Sequence, residues 1–184
     1  MKHAVLPAKD ALLLACRVEP RDDHPLLRGI HLLAGLHERR LREEVDATHF
    51  HAGRQTLALA IDHWVAAELP VPRGGARMHT ETLGSVLDRL AEHCALAHAA
   101  LSSAPKGQVH EAWELLAELA LGYQDLAIDL TAGSRRLPAI PGARTRSNRA
   151  DASSTNIECL FSRQRRPVSL AEAGRSASKL ALSA

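Results

Sequence analysis

The sequence predicts an all-α protein: an antiparallel four-helix bundle with a short extra helix at the N-terminus and a disordered tail at the C-terminus. Three observations lead there. Aromatic residues make up only 3% of the 184 residues, so the core must be built from Leu, Ala, Ile and Val, which suits helices packed on helices better than a sheet. Proline and glycine cut the first 133 residues into segments, none with the alternation of a strand. Charge changes sign after Gly133: residues 1–133 carry 13 Lys and Arg against 18 Asp and Glu, a net −5, whereas residues 134–184 carry 10 against 3, a net +7. The expected division is a helical domain over 1–133 and a basic tail containing Arg, Ser and Pro over 134–184.

A short helix is expected near 8–18, before Pro20. The second, near 25–44, opens on Pro25, whose fixed φ suits a first turn, and aligns Leu27, Ile30, Ala34, His37, Leu41 and Val45 on one side. The third, near 47–69, follows Asp46 as an N-cap and aligns Phe50, Leu57, Ala60, Ile61 and Trp64. It stops at the run Pro70-Val71-Pro72-Arg73-Gly74-Gly75. The fourth, near 80–103, can be capped by Thr80 or Thr82 and aligns Leu83, Leu87, Leu90, Cys94, Ala97 and Leu101. The fifth, near 108–132, aligns Val109, Trp113, Leu116, Ala120, Gln124 and Ala127 and meets Gly133, a natural C-cap. Beyond it no apolar period returns until Leu170.

Composition and spacing exclude several functions. The apolar run Ala11 to Cys16 is shorter than the core of a secretion signal, and no segment approaches the about 20 apolar residues of a membrane span, so a cytoplasmic protein without membrane contact is expected. Cys16, Cys94 and Cys159 have no metal or disulfide spacing and read as reduced small hydrophobes. None of the 11 histidines has a Glu three residues before it or a second His four residues away, so no metal site is expected. No phosphate loop, dinucleotide fingerprint or nucleophile elbow is present, and no motif asks for a cofactor. Nucleic acid enters only through the tail, where Arg163, Arg165 and Arg166 cluster beside the sole aromatic, Phe161.

Four polar features remain to be explained. His37 and Gln124 fall inside apolar stripes and Arg54 lies at the edge of one. A buried polar group costs about 1–3 kcal/mol unless paired, so these residues should bond to one another, to a carboxylate or to water. On the fourth helix Glu81, Ser85, Asp88 and Glu92 form a ridge opposite Leu83, Leu87 and Leu90, and the like charges Asp88 and Glu92 need a cation from elsewhere. An enzymatic alternative uses the same acids: Glu111 and Glu114, spaced for one helix face, could hold magnesium if Glu81 and Asp88 converge on them.

The run His79-Thr80-Glu81-Thr82-Leu83-Gly84-Ser85-Val86-Leu87-Asp88-Arg89-Leu90 resembles the signature of the family called domain of unknown function 4254. There a Thr-Glu-Thr segment and a glycine lead into an Asp-Arg/Lys-Leu helix. Arg54 with Ile61-Asp62, and Gln124-Asp125-Leu126, are similar to two further stretches of that family, and the likeness covers about residues 25–132. The resemblance implies a helical fold and a set of residues, Arg54, Asp62, Glu81, Gly84, Asp88, Arg89 and Gln124, but no reaction. His79 stands where many members have Asn.

Gly84 costs about 1 kcal/mol inside a helix, which implies close approach of another backbone or a ligand. The candidate face is therefore Arg54, Asp62, His79, Glu81, Gly84, Asp88, Arg89 and Gln124, with Glu81 and Asp88 meeting Arg54 or Arg89 of the same chain or a second one. The expected function is an interaction or ligand-binding module, with a homo-oligomer or a protein partner as the associated expectation. The alternative is a metal-dependent enzyme acting on a phosphorylated or nucleotide-linked substrate.

Overall fold

Several helix boundaries fall where the chain supplies its own caps. The computed structural model describes residues 6–140 and holds five helices: α1 (Lys9–Arg17), α2 (Pro25–Leu41), α3 (Ala47–Glu68), α4 (Leu83–Ser103) and α5 (Lys106–Ala132). Pro25 occupies the first turn of α2. The Asp46 carboxylate accepts from the amides of Thr48 and His49 at 2.9 and 3.1 Å and starts α3. Thr82, not Thr80, caps α4 by accepting from the Ser85 amide at 3.2 Å. Gly133 closes α5 with φ +71°, the left-handed conformation that glycine adopts without steric penalty. Helix α2 ends at Leu41, short of the expected 44, because Glu43 takes a left-handed φ of 59° and its amide turns back to Arg40.

The architecture is the helical bundle that the composition predicts. Helix α4 packs against α1, α2, α3 and α5, and α2 also packs against α1 and α3. Leu26, Ile30, Leu33, Ile61, Leu83, Leu87 and Leu90 are fully buried. Each such side chain contributes about 1.5–3 kcal/mol of apolar burial, so this leucine layer dominates the packing. Alanines at 34, 91, 95 and 97 are buried among them and let the helix axes approach. The short α1 is fastened to α5 by two bonds: Tyr123 donates its hydroxyl to the Pro7 carbonyl at 2.8 Å, and the Lys9 amide donates to Gln124 Oε1 at 3.0 Å.

The predicted stripes hold in their middles and fail at their ends. Leu41 is 45% exposed and Leu101 60% exposed, because each lies in the last turn of its helix, past the neighbouring helices. Tyr123, Leu33 and Val65 are buried although they lie off the predicted stripes. A helix surrounded by several others buries more than one face.

Residues 134–140 also depart from the expected tail. Arg135–Arg136 form a short strand, β2, pairing in parallel with β1 (Arg77–Met78), Arg77 opposite Arg135 and Met78 opposite Arg136. The helical domain therefore continues past 133, because the segment after α5 satisfies its backbone on the α3–α4 connection. The rest of the expected tail, residues 141–184, lies outside the described residues. Among the described residues no helix is long and apolar enough to cross a membrane.

Candidate functional site

Gly84, Asp88, Ala91 and Ala95 recur every three or four residues and are all buried, so α4 turns this face toward its neighbours and not toward water. That corrects the expectation of an outward acidic ridge. Asp88 is only 7% exposed, whereas Ser85 and Glu92 stay at the surface. Helix α4 is enclosed on several sides, so a residue opposite its leucines can still be buried.

The Asp88 carboxylate gathers one cationic group and one imidazole. His37 of α2 donates from Nε2 to Oδ1 at 2.9 Å. Arg54 of α3 donates from Nε to both carboxylate oxygens, at 3.2 and 2.9 Å, and from Nη2 to Oδ2. Phe50, one turn before Arg54, meets the His37 ring edge-on at 5.3 Å, and its own face lies 5.3 Å below the Arg54 guanidinium. Burial opposes ionisation of Asp88, but the bonds from His37 and Arg54 and the Arg54 charge outweigh it and hold its pKa below the ordinary aspartate value. An ionised carboxylate can only accept, so Nε2 of His37 carries the proton in this bond.

One turn along α4 a second buried carboxylate has quite different company. Asp62 of α3 is 4% exposed, and its Oδ1 accepts from the Gly84 amide at 2.6 Å, with Thr82 adding a side-chain bond. A Cβ on Gly84 would lie 2.8 Å from the Ala58 carbonyl carbon, closer still to its oxygen, and 2.9 Å from Asp62 Oδ1. Glycine here lets α3 and α4 touch backbone to backbone, as its cost within a helix implies. The carboxylate faces the N-terminus of α4, where backbone amides are unpaired and negative charge is favoured. Burial is nonetheless the largest influence and raises the Asp62 pKa, only partly offset by the Gly84 and Thr82 bonds.

Arg54, Asp62, Glu81, Asp88 and Arg89 line one cleft of about 690 Å³ between α3 and the start of α4. Ten of its twelve lining residues are polar or charged, Ala58 and Leu59 being the exceptions. At the rim Arg89 grips Glu81 with two parallel bonds of 3.1 and 2.9 Å. Both expected pairings therefore form within one chain, Asp88 with Arg54 and Glu81 with Arg89.

Two expected members stand elsewhere. The His79 ring folds onto the Glu81 backbone, its Nδ1 2.9 Å from the carbonyl oxygen and 3.2 Å from the amide nitrogen, so it closes the turn before α4 and does not line the cleft. Gln124 serves the α1–α5 contact through Lys9. Conversely, His37 belongs to the Asp88 layer, and its signal was a histidine inside an apolar stripe. Glu92, marked by its place on the ridge, also reaches the cleft, as do His51 and Gln55, whose spacing marks neither.

The cleft is lined by residues between 51 and 92, so the α5 carboxylates Glu111 and Glu114 take no part in it. Glu114 instead pairs with His110 at 3.0 Å on exposed α5 surface. Among the described residues no group of three or more His, Cys, Asp or Glu is placed to hold a metal ion.

No curated protein and no solved structure matches the chain. Residues 38–139, from the end of α2 through the cleft and α5 to the segment after β2, match a family model. The chain thus belongs to the family described as "Protein of unknown function (DUF4254)".

Proposed function

We propose that this protein is a binding module whose cleft between α3 and α4 takes a small cationic or hydroxyl-rich ligand. The observation that carries the reading is the Asp88 layer beneath a polar cleft. A buried ion pair seldom stabilises a fold more than apolar side chains of the same volume. Its place beneath an open, almost wholly polar cavity supports a role in recognition. The sign of the ligand follows from what remains uncommitted. Both guanidiniums are already held by carboxylates, Arg54 by Asp88 and Arg89 by Glu81. The Glu92 carboxylate has no hydrogen bond or ion pair among the described residues, and it faces a cleft with four acids and two arginines. A lysine or arginine side chain of a protein partner, or of a second copy, offers the same chemistry.

The test is a thermal-midpoint titration of the full chain with spermidine, glucose and inorganic phosphate, beside Glu92→Gln. Glu92 is exposed, so its loss leaves the fold intact. Stabilisation by spermidine that Glu92→Gln abolishes supports the reading. A response to phosphate alone would favour the enzymatic alternative. If no probe shifts the midpoint and size-exclusion chromatography with light scattering finds a monomer, the Asp88 layer is structural and the reading fails.

A further inference from the structure

A second cavity lies on the other side of Asp62. The chain leaves α3 at Leu69 through Pro70-Val71-Pro72, turns back with the Ala76 amide on the Arg73 carbonyl at 3.0 Å, and forms β1. After α5 it returns as β2 and continues through Leu137 to Ile140. These segments and the ends of α3 and α5 enclose a pocket of about 430 Å³, within the roughly 300–1,000 Å³ range of small-molecule sites. The walls are apolar, with Val65, Leu69 and Leu130 from the helices and Val71, Met78 and Ile140 from the connecting segments.

Backbone hydrogen bonds between the two connecting segments frame the pocket. The Arg73 amide bonds to the Gly133 carbonyl at 3.0 Å, Arg77 to Ser134 at 3.0 Å and His79 to Arg136 at 2.8 Å. Met78 and Val71 remain 47% and 74% exposed around it, apolar surface that an occupant would cover.

Its charged groups decide what that occupant is. Asp62 and Thr82 line this pocket and the polar cleft alike, but the Asp62 carboxyl is bonded to Gly84 and Thr82. The Arg135 guanidinium is held by Asp129 at 2.9 Å. Arg136 is exposed and has no side-chain partner among the described residues, so it is the cation at the pocket that no carboxylate holds, whereas the Asp62 carboxyl is turned to the Gly84 amide and Thr82.

We propose that this pocket binds a small amphipathic acid, with its aliphatic body between Val65, Leu130 and Ile140 and its single anionic head on Arg136. A neutral apolar body gains from burial in the pocket, and the head adds a charge-assisted bond that only an anion can make. The site is separate from the polar cleft, and it stands whether or not the cleft binds a cation.

The experiment is isothermal titration of the full chain with decanoate, decanol and decylamine, three probes with one body and different heads. Decanoate should bind at least tenfold more tightly than either of the others. Arg136→Gln should weaken decanoate to the level of decanol. Val71→Asp, at an exposed loop position that leaves the helices untouched, should abolish decanoate binding while the spermidine response of the cleft persists. The proposal is overturned if decylamine binds as well as decanoate, if Val71→Asp leaves decanoate affinity unchanged, or if none of the three binds.

Discussion

Asp88 and Asp62 lie one helical turn apart along the same α3–α4 contact, both nearly excluded from water, yet their carboxyls are pushed in opposite directions. Around Asp88 the donors are a guanidinium and an imidazole from two other helices. Around Asp62 they are a backbone amide and a hydroxyl at a helix N-terminus. The difference shows that burial alone does not set the state of an aspartate. At Asp88 the His37 and Arg54 bonds, with the Arg54 charge added, overcome desolvation, whereas the amide and hydroxyl at Asp62 offset only part of it. It also separates two tasks: the Asp88 layer keeps a charge under the cleft, and the Asp62 contact fixes how closely the two helices approach.

Five substitutions break or sharpen that comparison. The largest effect is expected from Gly84→Ala, because the new methyl meets backbone that cannot move without separating α3 from α4. Overpacking costs about 1–3 kcal/mol and sometimes more, and loss of the Asp62 bond adds to it, so urea unfolding should show a loss of about 3 kcal/mol or greater. Gly122→Ala is the control: nothing lies within 4 Å of its Cβ, and it should stabilise α5 by up to about 1 kcal/mol.

Asp88→Ala comes next. Removing one partner of a buried pair costs about 3–5 kcal/mol, but the Arg54 side chain is 32% exposed and water relieves part of that, so about 2–3 kcal/mol is expected at neutral pH. The folded pKa of Asp88 is depressed, so its contribution is present above the ordinary aspartate value of 3.8 and is lost as pH falls through the lower folded value. The gap between wild type and Asp88→Ala should therefore close in acid.

Asp62→Asn should show the opposite slope with a smaller amplitude. The amide oxygen can still accept from Gly84, so the change at neutral pH should stay within about 1 kcal/mol. Because the folded pKa is raised, what protonated Asp62 contributes is present below 3.8 and is lost as pH rises through the folded value. Asp62→Asn should gain on wild type as pH increases, and parallel slopes for the two aspartate variants would refute the comparison. The smallest effect is that of Arg89→Gln, whose ion pair with Glu81 is 46% and 37% exposed and should matter by about 0.5 kcal/mol or less.

What the sequence made legible follows the range of each interaction. Pro25, Asp46 and Gly133 were readable because caps act within one turn. The need of His37 and Arg54 for a polar partner was readable from apolar periodicity, but not that one carboxylate, 51 and 34 residues away, serves both. The burial of Asp88 was not, since periodicity assigns one inner face and α4 has neighbours on several sides. Family resemblance pointed to Arg54, Asp62, Glu81, Gly84, Asp88 and Arg89, which lie together along the α3–α4 contact, and to Gln124, which holds a helix contact elsewhere; His79, a departure from the family added beside them, closes a turn. The apolar pocket left no trace in the sequence, because its walls join residues 62–82 to residues 130–140 and two-residue strands have no period to detect.

The β1–β2 pairing has a temporal consequence. Two residues per strand cannot hold a ladder in water, and the partners here are separated by all of α4 and α5. The ladder closes only after both helices have docked and brought residues 77 and 135 together. It is thus a late event in folding and among the first contacts to open, and the second cavity, whose rim it forms, is completed only when the ladder closes.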